Sequence, residues 1–339
     1  MKKTQRVSSA ECIDSDGNGN VFLGQDKPSA AMRKRHLINN AKGWLFSVWP
    51  LVGYLLFFGV PFVTSIFLSM TELHSFDISQ YEFVGLENYK WIFTEPKGMF
   101  WFSLRQTFYY MISLPIGIVI GLFTAVLLHR NVKGTRLFRT IMFIPSVCSV
   151  VGVSMMWKMV LSRNGFINVI LATIVGPENW EVIDWLKDPN WFMPAVIFTT
   201  TWSAGSGCLL FQSALANVNT SMLEAAEIDG ANRTKIFFSI TLPAISPTTF
   251  YVLIMNMIGA FQSFANIQVL AGSAVTPQDA NGNCIPMTST YLIYYMAFEN
   301  PFLHGLGRAS AAAWLLTIII ATFTIIVFKT SKYWVCYDD

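Results

Sequence analysis

The chain has 339 residues, 53% of them hydrophobic and only 13% charged, with a formal net charge of +3. A soluble domain carries about a quarter charged residues, and mean hydropathy here is +0.46, so much of the surface has to face something other than water. The length of the apolar runs excludes a water-soluble globule, and the small net charge gives no reason to invoke nucleic acid as a partner.

Residues 1–42 are polar, without apolar periodicity, and read as a disordered tail, because such a segment cannot bury enough surface to fold alone. They are not a signal peptide, since the basic cluster and the apolar run come too late. Asp14-Ser-Asp16-Gly-Asn18-Gly19 imitates the start of a calcium loop, but the twelfth position is Gln25 where a bidentate Glu is needed, so no metal site is assigned.

Six stretches then lack Asp, Glu, Lys and Arg altogether: 43–71, 106–128, 140–157, 189–223, 236–278 and 309–328. A spanning helix needs about 20 mainly apolar residues, and one charge at its centre costs about 2.5–3.5 kcal/mol. Membrane spans are therefore predicted near 44–69, 105–128, 139–158, 192–214, 245–270 and 309–328, inside one transmembrane domain, 43–335. The fold class is all-α and polytopic, with six transmembrane helices. Prolines inside the spans (Pro50, Pro61, Pro115, Pro145 and Pro194) predict kinks. Residues 71–103 and 159–191 carry tryptophans and phenylalanines suited to the headgroup level. Tyr291 to Phe298 is apolar but too short to cross, and reads as a helix lying at the outer surface, with a seventh span as the alternative.

Cytoplasmic loops retain Lys and Arg. Arg33, Lys34, Arg35 and Lys42 precede the first span; Arg130, Lys133, Arg136 and Arg139 separate the second from the third; Arg233 and Lys235 follow the fourth; Lys329 and Lys332 follow the sixth. The opposite side has fewer basic residues in longer loops, mixed with acids such as Glu72, Glu87, Glu181 and Asp188. Both termini are thus expected in the cytoplasm. The five cysteines, Cys12, Cys148, Cys208, Cys284 and Cys336, show no metal spacing and no disulfide framework, and read as small apolar fillers.

The most informative segment is 221–243, between the fourth and fifth spans. Ser221-x-x-Glu224 has the form of a capping box, so a helix should begin near Met222. Gly230 can adopt the left-handed conformation that ends it. A second helical piece, around Asn232 to Ile240, runs to Pro243 and into the fifth span. Such a projecting helix, with the small residues Ala225, Ala226 and Ala231, suits close contact with a partner, although an ordinary amphipathic loop helix would look alike.

The pattern Glu224-Ala225-Ala226, three residues, Gly230, nine residues, Ile240-x-Leu242-Pro243 resembles the EAA signature of binding-protein-dependent ABC importer permeases, and Asp229 matches its common form. Phe83-Val-Gly-Leu-Glu-Asn-Tyr89, Leu137-Phe-Arg-Thr140 and Ile258-Gly-Ala-Phe-Gln-Ser-Phe264 are similar to the carbohydrate, maltose-type branch. The resemblance covers roughly 81–330. It implies a type I (MetI-like) importer permease fold and a subunit of the bacterial inner (plasma) membrane that passes a sugar or oligosaccharide. It implies partners as well: a second permease subunit, giving a heterodimer, ATPase subunits that bind the ATP and magnesium, and an extracytoplasmic solute-binding protein. The EAA segment would be the coupling helix, with Glu224 the charged contact, Ala225 and Ala226 the packed face, and Gly230 the turn. Permeation of glycerol-phosphate or a polyol is the alternative within this reading.

No phosphate-binding loop of the form G-x-x-x-x-G-K-[ST] occurs, so ATP would be hydrolysed on a separate chain. No predicted span carries a mid-membrane charge, which disfavours an ion-coupled carrier, and no clustered His, Asp or Cys suggests a membrane enzyme, a catalytic site or a metal site. On the fifth span, Asn256, Gly259, Ser263 and Asn266 recur at steps of three and four, hence on one helical face, with Gln262 beside them. This face could line a polar solute pathway, or could bind other helices. Trp202 on the fourth span could offer a platform for a sugar ring.

Overall fold

The computed structural model describes residues 13–15, 21–23, 30–73, 81–96, 98–129, 134–176, 178, 180–202, 205–272, 286–299 and 301–336. The chain divides into two units, Met1–Thr64 and Ser65–Asp339. In the first, β1 (Ile13–Ser15) pairs antiparallel with β2 (Val21–Leu23), with Asp14 opposite Phe22. Most of the calcium-like stretch, and the greater part of the expected disordered tail, lie outside the described residues. Helix α1 (Ala30–Tyr54) begins before the predicted first span and passes through a π-turn, Leu55–Gly59, into α2 (Val60–Ser69).

The π-turn has a cause in the sequence. Pro61 has no N–H to give the carbonyl four residues back, and its ring crowds that carbonyl. Widening one turn relieves both, and the Val60 N–H reaches Leu55 O instead. The same solution recurs at Phe237–Thr241 before Pro243 and at Tyr295–Glu299 before Pro301.

The second unit opens with a small hairpin of β3 (Thr71–Glu72) and β4 (Glu82–Phe83), followed by α3 (Glu87–Thr94). Helices α4 (Met99–Tyr110) and α5 (Ser113–His129) run on almost as one. Then come α6 (Thr135–Val147), α7 (Val150–Val160), α8 (Phe166–Val175), α9 (Phe192–Trp202) and α10 (Gly205–Ala216). Helices α11 (Thr220–Ile228), α12 (Arg233–Ile236) and α13 (Leu242–Ala244) lead to α14 (Ser246–Phe261) and α15 (Ala265–Ala271). Helices α16 (Ser289–Tyr294) and α17 (Pro301–Ser331) complete the chain.

Among the described residues, three helices, Lys42–Ser69, Met99–His129 and Gly305–Ser331, are long and apolar enough to cross a bilayer. Two bent pairs, Leu137–Pro145 with Val150–Val160 and Arg233–Ala244 with Ser246–Phe261, raise the count to five if each is one span. The predicted span near 192–214 is two short helices, α9 and α10, with residues 203 and 204 outside the described set. The predicted span near 245–270 is also interrupted, because α14 ends at Phe261 and α15 starts at Ala265. Apolar length alone carries no information about such breaks.

Among the described residues three buried clusters organise this unit, the smallest being Met257, Phe261 and Leu316 between α14 and α17. The largest joins α3, α4, α7, α9 and the α15–α17 region through Ile92, Phe100, Phe192, Val196 and Leu292. The second joins α5, α10 and α14 through Ala125, Phe211, Ile245 and Val252, and holds Cys208, a small filler as expected. The helix over Tyr291 to Phe298 packs into the largest core, with Tyr291, Leu292, Met296 and Ala297 buried. Ser289 explains why, since its N–H donates to Thr107 Oγ1 at 2.9 Å and its hydroxyl lies 2.9 Å from the same atom.

A close backbone crossing secures the hairpin. The Asn88 side chain donates to Ser69 O at 3.0 Å and to Thr71 O at 2.9 Å. Gly305, at φ 74°, turns α17 so that the Leu306 N–H reaches Leu73 O at 2.7 Å. Gly307 then passes so near that a Cβ would fall 1.9 Å from Thr71 O. Gly307→Ala is therefore expected to lower stability by about 1–3 kcal/mol, the usual cost of overpacking. Gly43→Ala, where a Cβ meets nothing within 4 Å, should be near neutral. Unfolding of the detergent-solubilised chain, followed by tryptophan fluorescence, measures both.

Candidate functional site: a projecting arm and a polar cavity

The arm is α11–α13. Helix α11 is capped by Asn219, whose Oδ1 accepts from Ser221 N at 3.0 Å and from Ser221 Oγ at 2.7 Å. The helix therefore starts at Thr220, ahead of the Ser221 capping box expected from sequence. The amide reaches the free N–H first, so Ser221 is a donor to the cap and not the cap itself. The other end behaves as predicted. Gly230 sits at φ 77°, with its N–H on Glu227 O at 3.0 Å and the Ala231 N–H on Ala226 O at 3.0 Å. These are the two bonds of a Schellman ending. Asn232 opens α12 by accepting from Lys235 N at 2.8 Å.

The motif residues divide between two places. Glu224, Ala225, Asp229 and Gly230 are exposed at the tip, where Ile228 is 86% and Met222 55% exposed, while Ala226 is half-buried. Leu242 and Pro243 are half-buried at the base, next to Ile245 in the second core. There α12–α13 and α14 meet at 65°. The tip is thus free to be touched, and the base is built into the bundle. A cavity of about 560 Å³ lies beneath the arm, bounded by the ends of α5 and α10 and including His129, Glu227 and Arg233.

A second cavity, of about 470 Å³, lies between α4, α5, α9, α10 and α14. Tyr110, Ser113, Thr200, Thr201, Tyr251 and Asn256 give it polar groups, and no described lining residue is charged. At one end stands a hydrogen-bonded group. Asn266 Nδ2 lies 3.5 Å from Tyr110 OH and 3.4 Å from Thr200 Oγ1, those two oxygens are 3.3 Å apart, and Ser263 Oγ donates to Asn266 Oδ1 at 2.8 Å. The contacts among Asn266, Tyr110 and Thr200 are long, hence weak individually, whereas the Ser263 bond is of ordinary length.

The single helical face expected for Asn256, Gly259, Ser263 and Asn266 does not exist as such, because the helix breaks between Asn256 and Asn266. Thr290 Oγ1 donates to Phe261 O at 2.8 Å and Thr288 Oγ1 to Ser263 O at 3.3 Å, satisfying carbonyls that the break leaves free. Lys158 Nζ does the same for Val269 O, near the end of α15, at 2.9 Å. Asn256 and Gly259 still line the cavity, and Ser263 and Asn266 reach its wall through Tyr110 and Thr200. Gln262 is exposed. Trp202 packs edge-on against Trp157 at 5.8 Å and does not line this cavity. Sequence reasoning missed Tyr110; a tyrosine hydroxyl within an apolar span was the available signal.

Comparison with known proteins agrees with this architecture. Residues 117–333 match the family model of the binding-protein-dependent transport system inner membrane component. "Probable ABC transporter permease protein YesP" of Bacillus subtilis (strain 168) is 35% identical over 326 residues, covering 95% of this chain and 98% of that protein. The multiple sugar-binding transport system permease protein MsmF of Streptococcus mutans serotype c is 30% identical, covering 89% of this chain and 99% of its own length. Among solved structures, a chain of the bacterial alginate ABC transporter in complex with an alginate pentasaccharide-bound periplasmic protein superposes with a TM-score of 0.73 at 18% identity, covering 88% of this chain and 96% of that one; this likeness concerns the fold. The protein described here belongs to the family of inner membrane components of binding-protein-dependent transport systems, and is a transport subunit, not an enzyme.

Proposed function

We propose that this chain forms half of the solute pathway of an ATP-driven sugar or oligosaccharide importer, paired with a second permease subunit and coupled through α11 to separate ATPase subunits. One observation carries the coupling assignment: an EAA segment folded as an exposed, Schellman-closed helix on a base buried in the bundle. A push at the tip then has a rigid route into α14. The ATPase subunits would hold ATP and magnesium, and a soluble binding protein would deliver solute from outside. The distribution of Lys and Arg supports cytoplasmic termini and a cytoplasmic arm, and the six apolar stretches support six crossings, with α9 and α10 together forming the fourth. The polar tail, 1–42, is assigned no role in the pathway.

Several relatives support a sugar as solute, MsmF among them and the lactose transport system permease protein LacF of Rhizobium radiobacter, 27% identical. The cavity, uncharged among its described lining residues, favours a neutral polyhydroxyl compound over a phosphate ester, which would give up hydration with no described cation in the lining to meet it. Asn256, Ser263 and Asn266, joined by Tyr110, are the pathway residues in this reading; Gln262 and Trp202 would act at its margin.

Labelling of cysteines introduced at 221–236 by a membrane-impermeant reagent should occur only from the cytoplasmic side. Reaction from outside overturns the orientation. Glu224→Lys or Gly230→Val should leave the chain inserted yet separate ATP hydrolysis from uptake in the reconstituted complex. At Gly230 the cause is backbone strain, about 1–2 kcal/mol for a side chain at this φ, since a Cβ would meet nothing within 4 Å. Normal coupled uptake by both variants would remove α11 as the coupling helix. Replacing Gln262 and Asn266 together by Leu should reduce uptake and change preference in competition with a panel of sugars; unchanged uptake and preference would remove them from the pathway.

A further inference from the structure

Beyond Ser331 the chain does not simply leave the bundle. The N–H groups of Trp334 and Val335 return to Ser331 O at 3.1 and 2.8 Å, and the segment turns back across the first turns of α14. The Trp334 ring meets the buried Phe250 ring edge-on at 5.8 Å, and Phe328 of α17 meets it edge-on at 5.2 Å. The Cys336 N–H donates to Ser246 Oγ at 2.9 Å. Ser246 is the first residue of α14 and follows Ile245, where the arm and α14 meet at 65°. A serine at a helix start often caps that helix's own N–H groups; this one accepts from a segment at the far end of the chain.

Ile245 is 1% exposed and packs with Ala125, Phe211 and Val252. The bend is thus held by the second core and, through Ser246 and Phe250, by the returning segment. We infer that residues 331–336 form a strap that fixes the angle between the arm and α14, so that displacement of the arm moves α14 and is not lost by flexing at Ile245. Ser246, Phe250 and Trp334 are positioning residues: they touch neither solute nor nucleotide, and they act through the bend. The inference rests on the importer reading above, because the strap matters only if the arm is pushed.

The test uses the assembled transporter in liposomes, with its ATPase subunits, second permease chain and binding protein. The readout is solute imported per ATP hydrolysed. Combining Ser246→Ala with Trp334→Ala should lower that ratio several-fold while ATP hydrolysis continues, and Trp334→Phe alone should retain it. An unchanged ratio in the assembled double variant overturns the strap. A second measurement stands even if the double variant assembles poorly. Ser246→Cys, in a background where the cysteines other than Cys336 are alanine, places a thiol beside Cys336. Copper phenanthroline removes two electrons and two protons from the pair to form a disulfide. The cross-linked transporter should keep its ratio, because the strap stays closed throughout the cycle. Loss of coupled uptake on cross-linking, reversed by reductant, would overturn the inference. Absence of ATP-dependent uptake in the unmodified complex would instead overturn the importer reading itself.

Discussion

Every backbone N–H and C=O placed in hydrocarbon needs a partner inside the protein, since water is absent and each unpaired group costs several kcal/mol. The irregularities of this bundle answer that demand. At the three π-turns among the described residues a proline stands just beyond the widened turn, and at Leu55–Gly59 and Phe237–Thr241 the closing N–H recovers a bond five residues back. At the gap between α14 and α15, two threonine hydroxyls take the place of missing helical donors, and a lysine does so near the end of α15. The helices break where side chains from elsewhere in the fold stand ready to satisfy them.

These breaks set the geometry of the polar cavity. Had α14 continued straight, Ser263 and Asn266 would have stayed in line with Asn256. Because it stops at Phe261, Asn266 swings to meet Tyr110 and Thr200, from two other helices. A cavity whose described lining offers hydroxyls and amides but no charge can exchange weak internal hydrogen bonds for equally weak ones to another neutral polar group. Neither partner then has to give up a strong interaction.

The arm obeys a different rule. Its tip needs no burial, so local signals dominate: an asparagine at the starts of α11 and α12, a glycine at the turn, and short-range bonds between them. Its base is a tertiary object. Ile245 sinks into the core of α5 and α10, and Ser246 and Phe250 are gripped by the returning end of α17. The arm thus joins a locally closed tip to a base fixed by contacts distant in sequence.

The sequence by itself determined whatever depends on neighbours a few residues away. The apolar class, the helical character, the Gly230 turn and the exposed EAA tip follow from composition, propensity and the conformational freedom of glycine. Asparagine's advantage over Ser221 at the start of α11 was also local, and was hidden only by the stronger-looking capping box. Contacts between residues distant in sequence decided the rest. The interruption at 262–264 depends on Thr288 and Thr290, and the burial of α16 depends on Ser289 meeting Thr107. Gly307 had to be glycine only because Thr71 lies against it. Hydropathy reports that a residue avoids water, and cannot distinguish lipid from another helix; only the folded bundle makes that assignment.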